Sequence, residues 1–575
     1  MTVYNKEIAD IFNQLADLLE ISNDNPFRIR AYRNAAMVIG GLSKNLADMI
    51  GENKELTDLP GIGEDLAEKI KVIVKTGELP LLNKMEKSVP PVLSELLKIE
   101  GLGPSRVRLL YKKLKIKTTN DLKTAIKKGE LLKIKGFGEK IQQKILSGLE
   151  HLQEYSKRIN LADAVPIANT LVNYLKKCKD VIQVECAGSV RRRKETIGDI
   201  DVLASSGHCQ AVIDYFVKFN EISKVISKGD TRSTVRMHSG VQVDLRVVSP
   251  ESFGAALVYF TGSKAHNIAI RKIAIKKKLK MNEYGVFKGK QQVAGKTEPD
   301  VYSRIGMAYV EPEMRENNGE IELAIKNKLP RLITLNDICG DLHCHTRATD
   351  GAASIEEMAE KAIKLGYQYI GITDHSRRLV MVNGLDEKAL LNQIKLIDKI
   401  NQKLKNIVIL KSIEVDILQD GQLDLSDDIL KELDYTVCSI HSHFDLTKRK
   451  QTERIIRAMD NPYFTILGHP TGRLINKREP YEIDMEKIML AAKERHCFLE
   501  INAQPARMDL NEIYCKLARD MQVKVVISTD AHSVAQMDLM QYGVYQARRG
   551  WLEAKDVLNT YRLKDLLKAI KRSAR

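Results

Sequence analysis

The sequence has no uninterrupted apolar run approaching the roughly 18 residues a membrane-spanning helix needs, which excludes an integral membrane role for a helical segment. Its opening residues, MTVYNKEIADIFNQLADLLE, carry neither the basic nor the apolar region of a signal peptide, so a cytoplasmic location is expected. No CxxC pair occurs among the eight cysteines (178, 186, 209, 339, 344, 438, 497 and 515), and so long a chain does not need disulfide staples, so reduced thiols are expected. Apolar residues are not scarce: 43% hydrophobic and 29% charged residues exclude bulk disorder and a fibrous protein. At 575 residues, a single compact core is not expected, and about four structural units are.

What the chain has in excess is positive charge, 91 Lys and Arg against 75 Asp and Glu, a formal +16. It is unevenly placed: residues 1–330 hold 54 basic and 40 acidic residues, against 37 and 35 in the remainder. A basic front half favours a polyanionic partner, although a solvated lysine-rich surface would have the same composition.

Three related segments lie within that front half: DLPGIGEDLAEKI (58–70), KIEGLGPSRVRLL (98–110) and KIKGFGEKIQQKI (133–145). Each reads as a helix end, a Gly-x-Gly turn (Gly61 and Gly63, Gly101 and Gly103, Gly136 and Gly138) and a helix start. Glycine lets a backbone approach closely, and the amides that open the second helix point outward as anion donors. This helix-hairpin-helix pattern holds a nucleic-acid backbone without reading its sequence. A single GxG also occurs in plain helical turns; the repetition inside a basic segment favours nucleic acid.

Residues 1–150 have helical periodicity, and from about 180 the pattern changes to strands. Asp199 and Asp201 in GDIDVL lie two apart on an expected strand and so share a face. Asp244 in VQVDLRVV adds a third carboxylate if the two strands pair. Such hard oxygen ligands suit Mg²⁺, and two ions a few ångströms apart stabilise both oxygens of a phosphoryl transfer. In AGSVRRRK just upstream, Gly188 and Ser189 are placed to cradle a phosphate that Arg191 to Arg193 neutralise.

The stretch GSVRRRKETIGDIDVL resembles the nucleotidyltransferase signature of DNA polymerase family X, and YFTGSKAHNIAIR with MNEYGVF is similar to that family's dNTP-binding segment. The resemblance implies metal ligands at Asp199, Asp201 and Asp244, with Asp244 the candidate general base nearest the primer 3′-hydroxyl. It implies triphosphate contacts at Ser189 and Arg192, a sugar-facing turn of Tyr259, Phe260 and Gly262 that excludes ribonucleotides, and nascent-pair contacts at Asn267 and Arg271. Gln242 and Lys264 depart from the animal polymerase beta pattern, which has an arginine and an acidic residue there. The head resembles the family's 5′-phosphate-binding domain, implying phosphate contacts from Arg28, Tyr32 and Lys69. Lys69 aligns with a lysine that forms a Schiff base in some members, but Asp65 one turn earlier favours its protonated form and counts against a lyase role.

Beyond residue 338 short apolar strands alternate with helices, as in an α/β layer or barrel. Nine His and carboxylate groups fall at strand ends: His343, His345, Asp350, His375, Glu414, His441, His469, Asp530 and His532. Mixed imidazole and carboxylate ligands fit Mn²⁺, Zn²⁺ or Fe²⁺, and nine groups suggest two or three ions. Their motifs (HxH, TDH, SxHS, GHP, TDAH) resemble in order those of the polymerase and histidinol phosphatase (PHP) superfamily, which implies a trinuclear site hydrolysing phosphoesters. Arg473 and Arg507 are candidate phosphate ligands, Cys344 reads as core, and His443 is unassigned.

The expected fold is therefore multidomain, with a helical helix-hairpin-helix head, an α+β nucleotidyltransferase palm and a C-terminal distorted (β/α) PHP barrel. The boundaries are a 5′-phosphate-binding unit over 1–85, a DNA-binding region over 86–155, the palm over 156–250, a dNTP and nascent-pair subdomain over 251–315, a linker over 316–335 and the PHP unit over 336–575. Together the resemblances imply a family X polymerase with a C-terminal PHP domain. Such an enzyme would fill short gaps with dNTPs in base excision repair, using two Mg²⁺, on gapped or nicked duplex bearing a 5′-phosphate. It would also be a 3′-5′ exonuclease using up to three Mn²⁺, with cleavage at abasic sites left open and a monomer sufficient. The alternatives are a DNA-end-binding scaffold with one silent catalytic part and a small-molecule phosphatase fused to a DNA-binding module.

Overall fold

The computed structural model describes residues 5–571, except 23, 41–45, 53, 89–92, 94–95, 97–101, 117, 135–136, 140, 144, 146–157 and 380–381. The head is helical because its apolar residues recur on one helical stripe: Ile8, Phe12, Leu15 and Leu19 along Asn5–Ser22 are all fully buried. They meet Ile39 from Pro26–Gly40 and Ile70 and Ile73 from Glu64–Thr76 in one apolar core.

The palm is a five-stranded sheet in the order Gln183–Cys186, Asp199–Ser205, Gln242–Val248, Arg232–Met237, Ile222–Lys228. The second and third strands run parallel and place Asp201 directly opposite Asp244. The alternate residues Ile200, Val202, Val243 and Leu245 point into the core, leaving the carboxylates on the other face.

A third core follows, built on the helices Phe253–Thr261 and Lys264–Lys276 and a three-stranded meander. The segment expected as a linker belongs to it. Glu320–Ile325 is a helix with Glu320 and Ile321 buried, and Leu332 and Ala324 join the same core. The segment's buried acid is consumed internally, Glu320 binding the His266 ring at 2.7 Å, and just ahead of the segment the fully buried Arg315 binds Glu298 at 2.8 Å. Arg191 adds a second guanidinium to Glu298; burial alone would raise this carboxyl, but the two arginines hold it down at about 2.

The C-terminal unit has two parallel sheets, of three and five strands among the described residues. A parallel bridge at Cys344–Ala531 joins one pair of edges, and a second at His375–Glu414 links the end of the middle strand Tyr369–Ile372 to the edge strand Glu414–Asp416, so the two sheets form a ring, which is the barrel closure expected of strand-helix alternation. This unit packs on the rest of the chain: Met508 and Tyr542 lie in the palm core, and Trp551 lies in the core of the 253–332 unit.

Candidate active sites

In the palm, Asp244 is held by its neighbours on two strands. Thr234 Oγ1 donates to Oδ1 at 2.5 Å, Arg232 Nη2 donates to the same oxygen at 3.0 Å, and Gln242 Nε2 donates to Oδ2 at 2.9 Å. Although an arginine is missing at 242, a guanidinium therefore reaches this carboxylate from the adjacent strand. Burial raises Asp201 to about 7, with Asp199 and Asp244 adding repulsion; Asp199 is likewise raised, by burial and then by Asp244. The three carboxylates do not approach one another as closely as the C-terminal ligands do; among the described residues, three-ligand groups within 4.8 Å occur only in the latter. Such spacing suits ions whose remaining ligands are water and substrate phosphate.

Gly188, at φ +58°, starts a one-turn helix whose backbone lies against this site, and a Cβ there would overlap Asp201 Oδ2. Gly188→Ala is expected to displace Asp201 and slow single-turnover nucleotide incorporation by about 100-fold, while metal-dependent degradation of single-stranded DNA stays at the wild-type rate.

A cleft of about 760 Å³ opens beside the carboxylates, and Gly188, Ser189, Arg192, Tyr259, Phe260, Gly262, Asn267 and Arg271 all line it. Arg271 lies 4.9 Å over the Tyr259 ring, and Asn267 Nδ2 donates to Tyr259 O at 2.7 Å. Gly262, at φ +70°, ends the preceding helix beneath Arg192, whose Nη1 donates to Thr261 O. Arg158, Lys194 and Lys264 line the cleft too. Lys194 continues the RRRK run and was visible there, whereas Arg158 sits outside any motif and gave no signal.

In the head, Gly63 and Gly103 cap the helices Glu64–Thr76 and Pro104–Leu114 as the repeat predicts, and a side chain at Gly61, Gly63, Gly103 or Gly138 would meet open space. Gly101 and Gly136 lie outside the described residues. Lys69 Nζ pairs with Asp65, and Arg28 pairs with Asp24 at 3.1 Å. Tyr32 departs from expectation: at 1% exposure its ring packs edge-on against Phe12 with centroids 5.4 Å apart. Its position on the apolar stripe of Pro26–Gly40 buries it, and Arg28 and Lys69 each stand 6.0 Å from its ring centroid, so it backs those two cations instead of reaching a surface phosphate itself.

The second site sits at the C-terminal ends of the barrel strands, where loops converge. Glu414 is its centre. His375 Nδ1 lies 2.8 Å, His469 Nε2 2.9 Å and His441 Nε2 3.3 Å from its oxygens, with His343 and His345 at 3.6 Å. Asp530 faces His345 at 3.2 Å and His343 at 3.6 Å, and Asp350 faces His532 at 3.3 Å and His375 at 3.4 Å. Three groups have ligand atoms close enough to share an ion: His345, Asp350, His375 and His532; His343, His345 and Asp530; His375, Glu414 and His441. His469 is in none of the three but contacts Glu414 directly.

These residues fit metal ions. His343 Nε2 and both His345 ring nitrogens are buried without a well-formed hydrogen bond. Two further carboxylates orient the rings from behind, Glu500 at 2.7 Å from His343 Nδ1 and Asp416 at 3.2 Å from His441 Nδ1. Each acceptor keeps the proton on Nδ1 and turns the Nε2 lone pair into the cluster. Neither was singled out in the sequence, where the signal was an acid inside an apolar strand, alone in CFLEIN and two residues after Glu414 in IEVDIL. Burial favours neutral forms throughout, yet the imidazoles hold Glu414 and Asp530 well below the carboxylate range, and Glu414 and Asp350 push His375 up to about 10. Bound cations would take over the role these protons play.

Of the two arginines read as phosphate ligands, Arg507 lies 3.5 Å from Asp530, at the site. Arg473 does not serve there: it binds Glu195 of the palm at 2.7 Å and the carbonyls of Arg507 and Met508, a partner 278 residues away that spacing cannot reveal. Cys344 is fully buried in the core, and His443 is exposed with φ +56°.

Four families match parts of the chain: helix-hairpin-helix domain over residues 3–79, SAM-like helix-hairpin-helix tandem over 93–150, DNA polymerase beta thumb over 256–316 and PHP domain over 341–504. A Bacillus subtilis (strain 168) protein named DNA polymerase/3′-5′ exonuclease PolX is 37% identical over 575 residues, covering 99% of this chain and all of that protein. A probable phosphatase of Thermoanaerobacter sp. (strain X514) is 33% identical over 245 residues, 40% of this chain and 95% of its own length. Another probable phosphatase, from Caldicellulosiruptor bescii, is 33% identical over 207 residues, 34% of this chain and 81% of its own. The phosphatases account only for the barrel, whereas the PolX match spans head, palm and barrel, and the chain belongs to the bacterial family X DNA polymerases that carry a C-terminal PHP domain.

Proposed function

We propose that this protein is a template-directed DNA polymerase that fills short gaps in base excision repair and trims 3′ ends with its PHP unit. The observation that carries the reading is the presence in one chain of two separate ligand sets, Asp201 opposite Asp244 beside a basic cleft and nine His and carboxylate groups at the barrel mouth. In the palm, Ser189, Arg192 and the amides near Gly188 bind the triphosphate of a dNTP, Gly262 with Tyr259 and Phe260 crowds the sugar, Asn267 and Arg271 line the nascent pair, and Asp244 takes the 3′-hydroxyl proton. The helix-hairpin-helix turns hold the backbone of gapped or nicked duplex with a 5′-phosphate, and Arg28 and Lys69 approach that phosphate. Lys69, held in an ion pair with Asp65, binds phosphate rather than acting as a Schiff-base nucleophile. Asp199, Asp201 and Asp244 would hold two Mg²⁺ and the barrel's His and carboxylate set up to three Mn²⁺, which when bound would supply positive charge for the phosphate oxygens and a water of lowered pKa. Arg507 orients the phosphate of the 3′-terminal nucleotide, and the buried imidazoles keep bulk water from the cluster. The protein acts as a cytoplasmic monomer.

The test is extension of a primer across a one-nucleotide gap with a 5′-phosphate, Mg²⁺ and the complementary dNTP; a one-nucleotide addition is expected, and none overturns the polymerase reading. The Mg²⁺ requirement should also depend on pH. A carboxyl raised to about 7 is partly protonated at neutral pH and binds a cation only when ionised. The half-saturating Mg²⁺ concentration should therefore fall as pH rises from 6.5 to 8, in titrations at saturating dNTP.

A further inference from the structure

The turn carrying Arg192 to Lys194 at the lip of the nucleotide cleft is gripped from outside the polymerase part of the chain. Arg549, the last residue of the helix Met540–Arg549 on the barrel, has a side chain only 2% exposed. Its Nη1 donates to the main-chain carbonyl of Arg192 at 2.7 Å. The same guanidinium approaches Glu316 Oε1 at 3.3 and 3.4 Å, and Glu316 accepts from Arg192 Nε at 3.2 Å. Arg192 is thereby held at two points, its backbone directly and its side chain through Glu316. The remaining bond of Arg549, Nη2 to Glu512 at 2.9 Å, meets a carboxylate that also takes Lys194 Nζ at 3.4 Å. Every hydrogen bond found for this arginine thus ends on the 192–194 turn or on a carboxylate that holds the turn. Flanking contacts act on the same loop: Arg193 lies 4.3 Å over the Tyr545 ring, and Glu195 binds Arg473.

We propose that Arg549 is a positioning residue for nucleotide binding, so that the PHP unit supplies the guanidinium that fixes the turn presenting Arg192 to the dNTP triphosphate. A planar fork is the group suited to this: it spans a carbonyl and two carboxylates at once, which an ammonium does not. A cradle held in its binding geometry before the nucleotide arrives gains affinity because less ordering remains to be done on binding. The effect accordingly falls on KM for dNTP more than on the chemical step, since Arg549 touches neither Asp199, Asp201 and Asp244 nor the sugar turn.

The inference rests on the palm cleft taking a dNTP, and the wild-type gap-filling assay tests that separately: an inactive wild type removes the reading, whereas an active wild type leaves this inference to stand or fall on the variants. Full-length Arg549→Lys and Arg549→Gln are compared with wild type for KM and kcat on the one-nucleotide gap, and for Mn²⁺-dependent degradation of single-stranded DNA by the same preparations. Arg549→Lys is expected to raise KM for dNTP about tenfold with kcat within about twofold and nuclease activity unchanged; Arg549→Gln raises KM further. A wild-type KM in Arg549→Lys overturns the proposal, even if Arg549→Gln fails to fold around Glu316 and Glu512. An equal loss of both activities in Arg549→Lys overturns it too, because that is what a packing role alone produces.

Discussion

Alanine at both Asp199 and Asp201 is expected to reduce one-nucleotide gap filling by about 1,000-fold or more, the scale of losing several kcal/mol of transition-state charge stabilisation. The two side chains share a face of the strand Asp199–Ser205, and Asp201 lies opposite Asp244. Their removal leaves Asp244 with its hydrogen bonds from Thr234, Arg232 and Gln242 but without the partners needed to hold a cation against a triphosphate. The fold should not suffer. Asp201 is raised to about 7 by burial and by its two acidic neighbours. A carboxyl raised in the folded state favours folding at low pH and loses that contribution as pH rises through its folded value. At pH 7.5 the metal-free double variant should therefore melt no lower than wild type, which separates loss of chemistry from loss of structure. The barrel ligands belong to other strands and touch neither aspartate, so Mn²⁺-dependent nuclease activity should survive; loss of both activities would contradict separate sites.

The second large effect is the converse. His343→Ala is expected to lower nuclease activity by about 100- to 1,000-fold, with gap filling within about twofold of wild type. His343 is fully buried, faces both Glu414 and Asp530 at 3.6 Å and is oriented by Glu500. Its loss removes a ligand from one of the three candidate groups and leaves Glu500 Oε1 without the imidazole, while Oε2 keeps His469 N and Asn502 Nδ2. Metal analysis of the purified variant should find fewer bound ions than in wild type. A variant with full metal content and full nuclease activity would remove His343 from the site.

Much of both sites was legible because each depends on local periodicity. Alternation along GDIDVL places Asp199 and Asp201 on one face without tertiary information, and the nine barrel groups announce themselves by falling at the ends of successive apolar strands. What escaped was set by pairing across distance. Arg232 reaches Asp244 only because Arg232–Met237 lies beside Gln242–Val248, a register that no local pattern encodes. Glu500 and Asp416 read as ordinary strand acids until the fold places a histidine in front of each. Arg473 was read as a phosphate ligand from its place after GHPTG, but Glu195 claims it. The charged 316–335 stretch reads as a linker by composition; paired burial of Glu320 with His266 makes it part of a core. Tyr32 shows the opposite error, a residue read from the family's phosphate-binding head that helical phase turns inward.

The most direct test of two independent chemistries in one chain is a single experiment on the wild type: a 5′-labelled primer in a one-nucleotide gap with a 5′-phosphate, incubated with divalent metal with and without the complementary dNTP. The expected result is a primer lengthened by one nucleotide when dNTP is present and progressively shortened from its 3′ end when it is absent. A primer unchanged in both lanes, from a preparation that hydrolyses a small phosphomonoester, would contradict the account and leave a phosphatase joined to a DNA-binding module.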